Sequence, residues 1–269
     1  MKKIFNHIMA LAIAVTFTST GIFAAELEEI IVTAQKREQN LQDVAVSVTV
    51  VSGEKIANAA LHSLTQLSNY IPNFSVSENA ITTIASMRGI GPGANQSFEQ
   101  SVGLFVDGVH LAKGRQYRTG LFDVERVEVL RGPQGVLFGK NTLAGAINVV
   151  SAKANVGEEF GGSISIGAEG NGGELIEGNV HGTIAKNFAL RLSFKDRQED
   201  GWIDDLYNGT TGPMTDETMF RLSGTWQPSE DLSVSFRHTD GDNVRTGSTV
   251  IVNHWEPLFP LTATAGLAY

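Results

Sequence analysis

An α+β domain followed by antiparallel membrane-crossing β-strands is the fold class this sequence predicts, on three observations. Residues 123–150, DVERVEVLRGPQGVLFGKNTLAGAINVV, read as a charged strand, a glycine-punctuated turn and an apolar strand. Beyond Ala154 the chain becomes a series of segments that alternate apolar and polar residues. Each is about nine to eleven residues long, the length of a tilted strand in a bilayer. At the N-terminus, Lys2 and Lys3 precede an apolar stretch from Ile8 to Phe17 that ends in small residues. That is the pattern of a secretory signal.

Residues 1–25 are therefore read as a signal peptide cut after Ala24 or Ala25. The apolar stretch is too short for a permanent membrane helix. The whole chain holds 20 Lys+Arg against 29 Asp+Glu. Without the two signal lysines the balance is 18 against 29, a net charge of −11. This acidity opposes nucleic-acid binding, which needs a basic footprint. There is no cysteine, so an exported fold must stand on packing and hydrogen bonds alone. No later segment is apolar for long enough to be a transmembrane helix, so insertion has to use strands.

The first mature stretch, ELEEIIVTAQKREQN, carries a β-prone run, Glu29, Ile30, Ile31, Val32, Thr33 and Ala34, between charged flanks. An extended peptide of this kind can add itself to a partner's sheet edge, or serve as the first strand of the following domain. Val44 to Val51 reads as a strand. Ser52 can cap a short helix, GEKIANAAL, and Ser63 a second one in which Leu64, Leu67 and Ile71 share a face. Pro72 ends it. A strand over Ile81–Met87 leads into Arg88, Gly89, Ile90, Gly91, Pro92 and Gly93. A phosphate-loop reading fails there, because the third glycine, the opening helix and the βαβ setting are missing. Ser101–Leu111 reads as a hairpin turning at Asp107-Gly108. The charged strand Glu125–Arg131 stops at Gly132-Pro133, since proline has no N–H to donate. Gly132, Gly135, Gly139 and Gly145 punctuate the turn around Asn141 before the apolar strand Ala146–Val150.

These segments, in this order, resemble the N-terminal portion of TonB-dependent outer-membrane receptors: signal, TonB box, plug domain and first barrel strands. The motifs that carry the resemblance are Arg88-Gly89 with Ile90-Gly91, the VDGV run around Asp107 and Gly108, and Glu125 to Gly145, including Arg126, Glu128, Arg131, Gly132, Pro133, Gly139 and Asn141. The resemblance implies a box at Glu29–Ala34 within a linker over 26–40, a plug over 41–155, and barrel strands over 156–269. It implies TonB as the periplasmic partner, the outer-membrane bilayer as surroundings, and a scarce small-molecule ligand. Siderophore and other metal chelates, cofactors and carbohydrates are the ligand classes in view. In the family the plug meets the wall through paired Arg and Glu residues, and Arg126, Glu128 and Arg131 are the candidates. The alternative is that they sit in lumenal water. For ligand contacts the resemblance points to Gly89–Gln96 and Val109–Tyr117, with Gly91, Asn95, Gln96, Arg115 and Tyr117 as named candidates.

The strands after Ala154 are expected at Phe160–Ala168, Glu174–Ala185, Asn187–Arg197, Met219–Gln227 and Leu232–Thr239. In the third, Leu190, Leu192 and Phe194 point one way and Arg191 and Ser193 the other. Tight connections at Ala185–Asn187 and Pro228–Asp231 alternate with long ones at Gln198–Glu217 and after Asp240. Outer-membrane barrels alternate in this way; a soluble β-sandwich is the competing reading. Five strands cannot close a barrel of about 22. The expectation is therefore an N-terminal portion of a receptor, or a truncated product acting at most as a soluble periplasmic binding module.

No enzyme is expected. The six histidines, at 7, 62, 110, 181, 238 and 254, lack ligand spacing, and there is no GxSxG or HExxH. Asp240-Gly241-Asp242-Asn243 suggests a calcium loop but lacks its distal Glu, so a solvated loop is expected. No metal, cofactor or catalytic residue is assigned.

Overall fold

The computed structural model describes residues 31–32, 39–40, 46–78, 82–93, 99–205 and 209–247. The signal peptide, Glu29, Ile30, Thr33, Ala34, Asn95 and Gln96 lie outside the described residues.

The N-terminal domain is built on a five-stranded sheet. Its strands are β3 (Ser47–Ser52), β6 (Val102–Val106), β7 (Val109–Leu111), β8 (Val124–Arg131) and β9 (Gly145–Ser151), in the order β3-β8-β9-β6-β7. All pairs are antiparallel except β6 with β9. The centre of the sheet is covered on both faces, so Val127–Leu130 of β8 and all of β9 are buried, and most of these residues are apolar, with Glu128, Asn148 and Ser151 as the polar exceptions. Ahead of this sheet, β1 (Ile31–Val32) pairs with β2 (Gln39–Asn40).

One face carries helix α1 (Gly53–Asn58), helix α2 (Leu64–Ser68) and the hairpin of β4 (Phe74–Glu78) with β5 (Thr83–Met87). Both caps fall where the sequence puts them: Ser52 Oγ accepts from Lys55 N at 3.3 Å and Ser63 Oγ from Gln66 N at 3.2 Å. Helix α1 is shorter than expected and ends at a cap on Ala59. Leu64, Leu67 and Ile71 enter the core with Met87, Val129 and Ile147. The expected hairpin at Asp107-Gly108 forms, with φ of 50° and 83° at its two turn residues. This left-handed pair matches the twist of the flanking strands. The glycine-punctuated turn contains a single helical turn, α3 (Gly135–Phe138).

The second half is an antiparallel meander: β10 (Gly161–Ala168), β11 (Glu174–Ala185), β12 (Phe188–Glu199), β15 (Met214–Ser229) and β16 (Leu232–Thr246), paired in that order. A small hairpin of β13 (Ile203–Asp205) and β14 (Thr210–Gly212) occupies the longest connection. Two strands outrun the sequence reading. Asp240–Asn243 is not a loop but part of β16, paired with residues 217–220 of β15. Ladder hydrogen bonds use the backbone, so a run of polar side chains does not stop a strand that has a paired neighbour.

The faces of this meander are inverted relative to a soluble sheet. Along β12, Leu192 and Phe194 are exposed while Ser193, Lys195 and Arg197 are buried. Ile164, Ile166, Phe220, Val234 and Phe236 extend the exposed apolar face. A β-sandwich buries its apolar face, so that alternative fails. Apolar outside and charged inside is the pattern of a wall facing lipid.

Candidate functional site

The charged inner face of the wall closes on one stretch of the N-terminal domain, Arg118 to Asp123, which links a 3-10 turn at Gly114–Arg118 to β8. Its backbone is read directly. Gly120 N–H donates to Glu217 Oε1 at 3.1 Å. The Leu121 carbonyl accepts from Lys195 Nζ at 3.3 Å. Arg221 Nη1 donates to the carbonyls of Phe122 at 2.9 Å and Asp123 at 3.1 Å, and its guanidinium lies 4.8 Å above the Phe122 ring. The absence of a side chain at Gly120 leaves room for this approach, since a Cβ there would push the Glu217 carboxylate aside.

Two buried ion pairs fix this seam. Lys195 Nζ lies 2.9 Å from Glu217 Oε2, with side chains 0% and 2% exposed. Asp123 accepts from Arg191 Nε at 2.9 Å and from Ser193 Oγ at 2.6 Å. Burial alone would raise the Asp123 carboxyl pKa, but the hydrogen bonds from Arg191 and Ser193 outweigh it and hold the group below the usual carboxylate range. Buried charges of this kind are costly unless every one is paired and hydrogen-bonded. Here they are.

Three further contacts tie the two halves together. Glu78 pairs with Arg245 and stands 3.8 Å from Arg118 Nε. Asp107, held by Ser151 N at 2.9 Å and Ser151 Oγ at 2.8 Å, pairs with Arg237. His62 Nε2 lies 3.7 Å from Glu169, near enough for an ion pair if the imidazole were charged. Burial, then the Lys195 cation, lowers the His62 pKa to about 4. The imidazole is therefore neutral at pH 7, and Glu169 is matched instead by Arg197 through two 2.6 Å hydrogen bonds.

The residues singled out from sequence divide sharply. Arg126, Glu128 and Arg131 do not reach the described wall. Arg126 Nε donates to Glu128 Oε1 at 2.8 Å, Asn148 Nδ2 donates to Glu128 Oε2 at 3.1 Å, and Arg131 Nη2 donates to Thr49 Oγ1 at 2.7 Å. Tyr117 is not a ligand contact but a core residue, 1% exposed, whose hydroxyl donates to the Val102 carbonyl. Arg88 and Gly89 form a left-handed turn (φ 52° and 79°) beside an exposed Gly91. Gly132, Gly139 and Asn141 also have positive φ, while Gly145 packs its backbone on Met87. Of the box, Ile31 and Val32 form β1, and Val32 packs beside Phe105, Leu130 and Ala146.

The wall residues that form the seam were missed in sequence. Their signal was there: Arg191, Ser193, Lys195 and Arg197 recur every second residue on the polar face of one strand. Two cavities adjoin the seam. One, of about 370 Å³, lies between α1 and β10–β12 and is lined by Glu54, His62, Asp123, Glu177 and Arg191. The other, of about 380 Å³, lies between the 3-10 turn and β15–β16 and includes Arg115.

Comparison with known proteins gives this arrangement a context. Residues 40–146 match the family described as TonB-dependent Receptor Plug Domain. The chain is 28% identical over 221 residues to the vitamin B12 transporter BtuB of Vibrio vulnificus (strain CMCP6), covering 77% of this chain and 34% of that protein. It is 34% identical over 125 residues to the pesticin receptor of Yersinia pestis, covering 45% of this chain and 18% of that one. In three dimensions it resembles the ferric yersiniabactin uptake receptor FyuA from Yersinia pestis, with a TM-score of 0.66, 26% identity, and coverage of 73% and 31%. The ferripyoverdine receptor of Pseudomonas aeruginosa shares the fold, with a TM-score of 0.69 at 19% identity. The chain spans about a third or less of the curated relatives it matches. These relatives are receptors and transporters, not enzymes. Residues 40–146 are thus a plug domain of the TonB-dependent receptor type, seated by buried charges against a wall that is apolar outside.

Proposed function

We propose that this chain is the plug and first wall segment of an outer-membrane receptor that takes up a scarce small-molecule ligand with energy delivered by TonB. The supporting observation is the inverted wall around a hydrogen-bonded plug. Lipid accounts for the exposed Ile164, Ile166 and Phe194, and the plug accounts for the buried Ser193, Lys195 and Glu217. A soluble binding module would leave that apolar face in water.

TonB engages Glu29–Ala34 by adding a strand to an exposed sheet edge, and the pull reaches the plug through the chain that follows. Ligand approaches from the opposite side, where chelates of metal, cofactors and carbohydrates are the candidate classes. The test is uptake in cells expressing the receptor that carries this chain. Ile31→Pro removes the backbone donor that strand addition needs. Uptake is expected to vanish while ligand binding to whole cells is kept. Uptake at the unaltered rate would refute the box assignment.

A further inference from the structure

On the outer face of the wall each strand changes from apolar to polar at one point, and that point differs from strand to strand. Directly opposite residues of a ladder project from the same face, so the pairing traces the change. Ala168, the last outward apolar residue of β10, lies opposite Glu174 of β11. Ile176 of β11 lies opposite Asp196 of β12. Asp196 is level with Thr218 of β15, and Phe220 of β15 lies opposite Asp240 of β16. All of these side chains are exposed. Three of the four ladders thus set an apolar residue against an acid, always in one sense. The earlier strand stays apolar farther from the tight turns that follow β11 and β15.

Charge is sorted across the same wall. The lysines and arginines of these five strands are Arg191, Lys195, Arg197, Arg221, Arg237 and Arg245. All are turned inward, towards the plug or Glu169. The outward charges of the strands are all acidic: Glu174, Asp196, Asp216, Asp240 and Asp242. A carboxylate is costly in hydrocarbon and lacks the long stem by which a lysine reaches the interface. The first acid on a strand therefore marks where contact with lipid chains must end. Successive rows on one face are about 6.8 Å apart along a strand, and neighbouring strands are about 4.8 Å apart. Three row steps across four ladders shift this limit by about 20 Å over about 19 Å of wall, a slope of about 45°. Strands leaning by that angle, as barrel strands do, present a level edge to a bilayer.

We propose that the outer edge of the bilayer's hydrocarbon layer runs diagonally across the ladder rows, through Ala168, Ile176, Phe194, Phe220 and Phe236, with Glu174, Asp196, Asp240 and Asp242 above it among the lipid headgroups. The inference rests on the lipid-facing reading of the wall and adds where the lipid stops. Val244, beyond Asp242, is then a single apolar residue past the edge, which is ordinary for a wet surface.

Nitroxide-labelled Ile176→Cys, Asp196→Cys, Thr218→Cys and Asp242→Cys variants, which share one hydrogen-bonded row, test it in the receptor that carries this chain, reconstituted in phosphatidylcholine vesicles without TonB. Collisions with oxygen, which enters hydrocarbon, are compared with collisions with a neutral nickel chelate, which stays in water. The oxygen-to-nickel ratio is expected to be at least about tenfold higher at Ile176 than at Asp242, since moving a polar probe into hydrocarbon costs more than about 1.4 kcal/mol. Phe220 and Asp240, another pair on one row, should differ in the same sense. Ala168, Phe194 and Phe236, on three different rows, should agree. Equal ratios from Ile176 to Asp242 would overturn the inference, because the edge would then follow the rows. Oxygen still favoured at Phe194 in that case would leave the lipid-facing wall and the uptake reading intact. Nickel favoured at every outward site would overturn both.

Discussion

Lys195→Gln and Glu217→Gln are predicted to loosen the plug separately and to restore it together. The two charges lie 2.9 Å apart and neither side chain is more than 2% exposed. At an effective dielectric near 20 their attraction is about 6 kcal/mol. Desolvation cancels much of that, but removing one partner strands the other charge in the seam, at a cost of about 3–5 kcal/mol. Each glutamine retains hydrogen-bonding capacity towards the Leu121 carbonyl or the Gly120 N–H, so shape and polar satisfaction change little. The double variant leaves no charge behind and should lie within about 1–2 kcal/mol of the parent. The readout is amide hydrogen exchange of the segment 120–123, whose Gly120 N–H is bound to Glu217 itself. Exchange by local opening should accelerate by about two to three orders of magnitude in each single variant. In the double variant it should accelerate about tenfold or less. If the two single effects simply multiply in the double variant, the pair is not coupled and the seam is not held by this charge pair.

Three other perturbations address separate parts of the molecule. Asp123→Asn keeps the left-handed backbone at φ 47°, which asparagine tolerates, but leaves Arg191 without its counter-charge, so plug stability should fall by about 2–4 kcal/mol in chemical denaturation. His62 binds a proton near its ordinary value of 6.5 when unfolded but only near about 4 when folded. The His62 contribution to stability should therefore be lost as pH drops from about 6.5 to about 4, by up to about 3 kcal/mol. The slope should disappear in His62→Gln, and a slope that survives would refute this assignment. A nitroxide scanned from Leu190 to Arg197 should show oxygen accessibility with a period of two, high at Leu192 and Phe194 and low at Ser193 and Lys195. A flat profile would contradict the lipid-facing wall.

What the sequence revealed and what it hid follow from the range of the interactions. Caps at Ser52 and Ser63, the Asp107-Gly108 hairpin and the alternation in β12 depend on neighbours within a few residues, and all three formed as expected. The seam could not be read in this way. Arg191 meets Asp123 across 68 residues and Arg245 meets Glu78 across 167. Such pairings depend on the register between two sheets, which no local pattern encodes. The charged plug strand shows its described contacts within its own sheet. Arg126 and Glu128 share a face of β8 at a spacing of two, and Glu128 stands opposite Asn148 on β9, so its charges are satisfied at home. Tyr117 was a ligand candidate through the resemblance alone, and its ring enters the core.

Energy coupling in this receptor requires that the N-terminal segment is where TonB takes hold. Ile31→Cys in the receptor that carries this chain, combined with a cysteine-bearing TonB periplasmic domain, should yield a disulfide-linked adduct. Trp226→Cys, on the exposed outer face of β15, should yield none. Adduct at Ile31 alone is the predicted result. No adduct at Ile31 while a thiol reagent labels it freely, or equal adduct at both positions, would contradict the account.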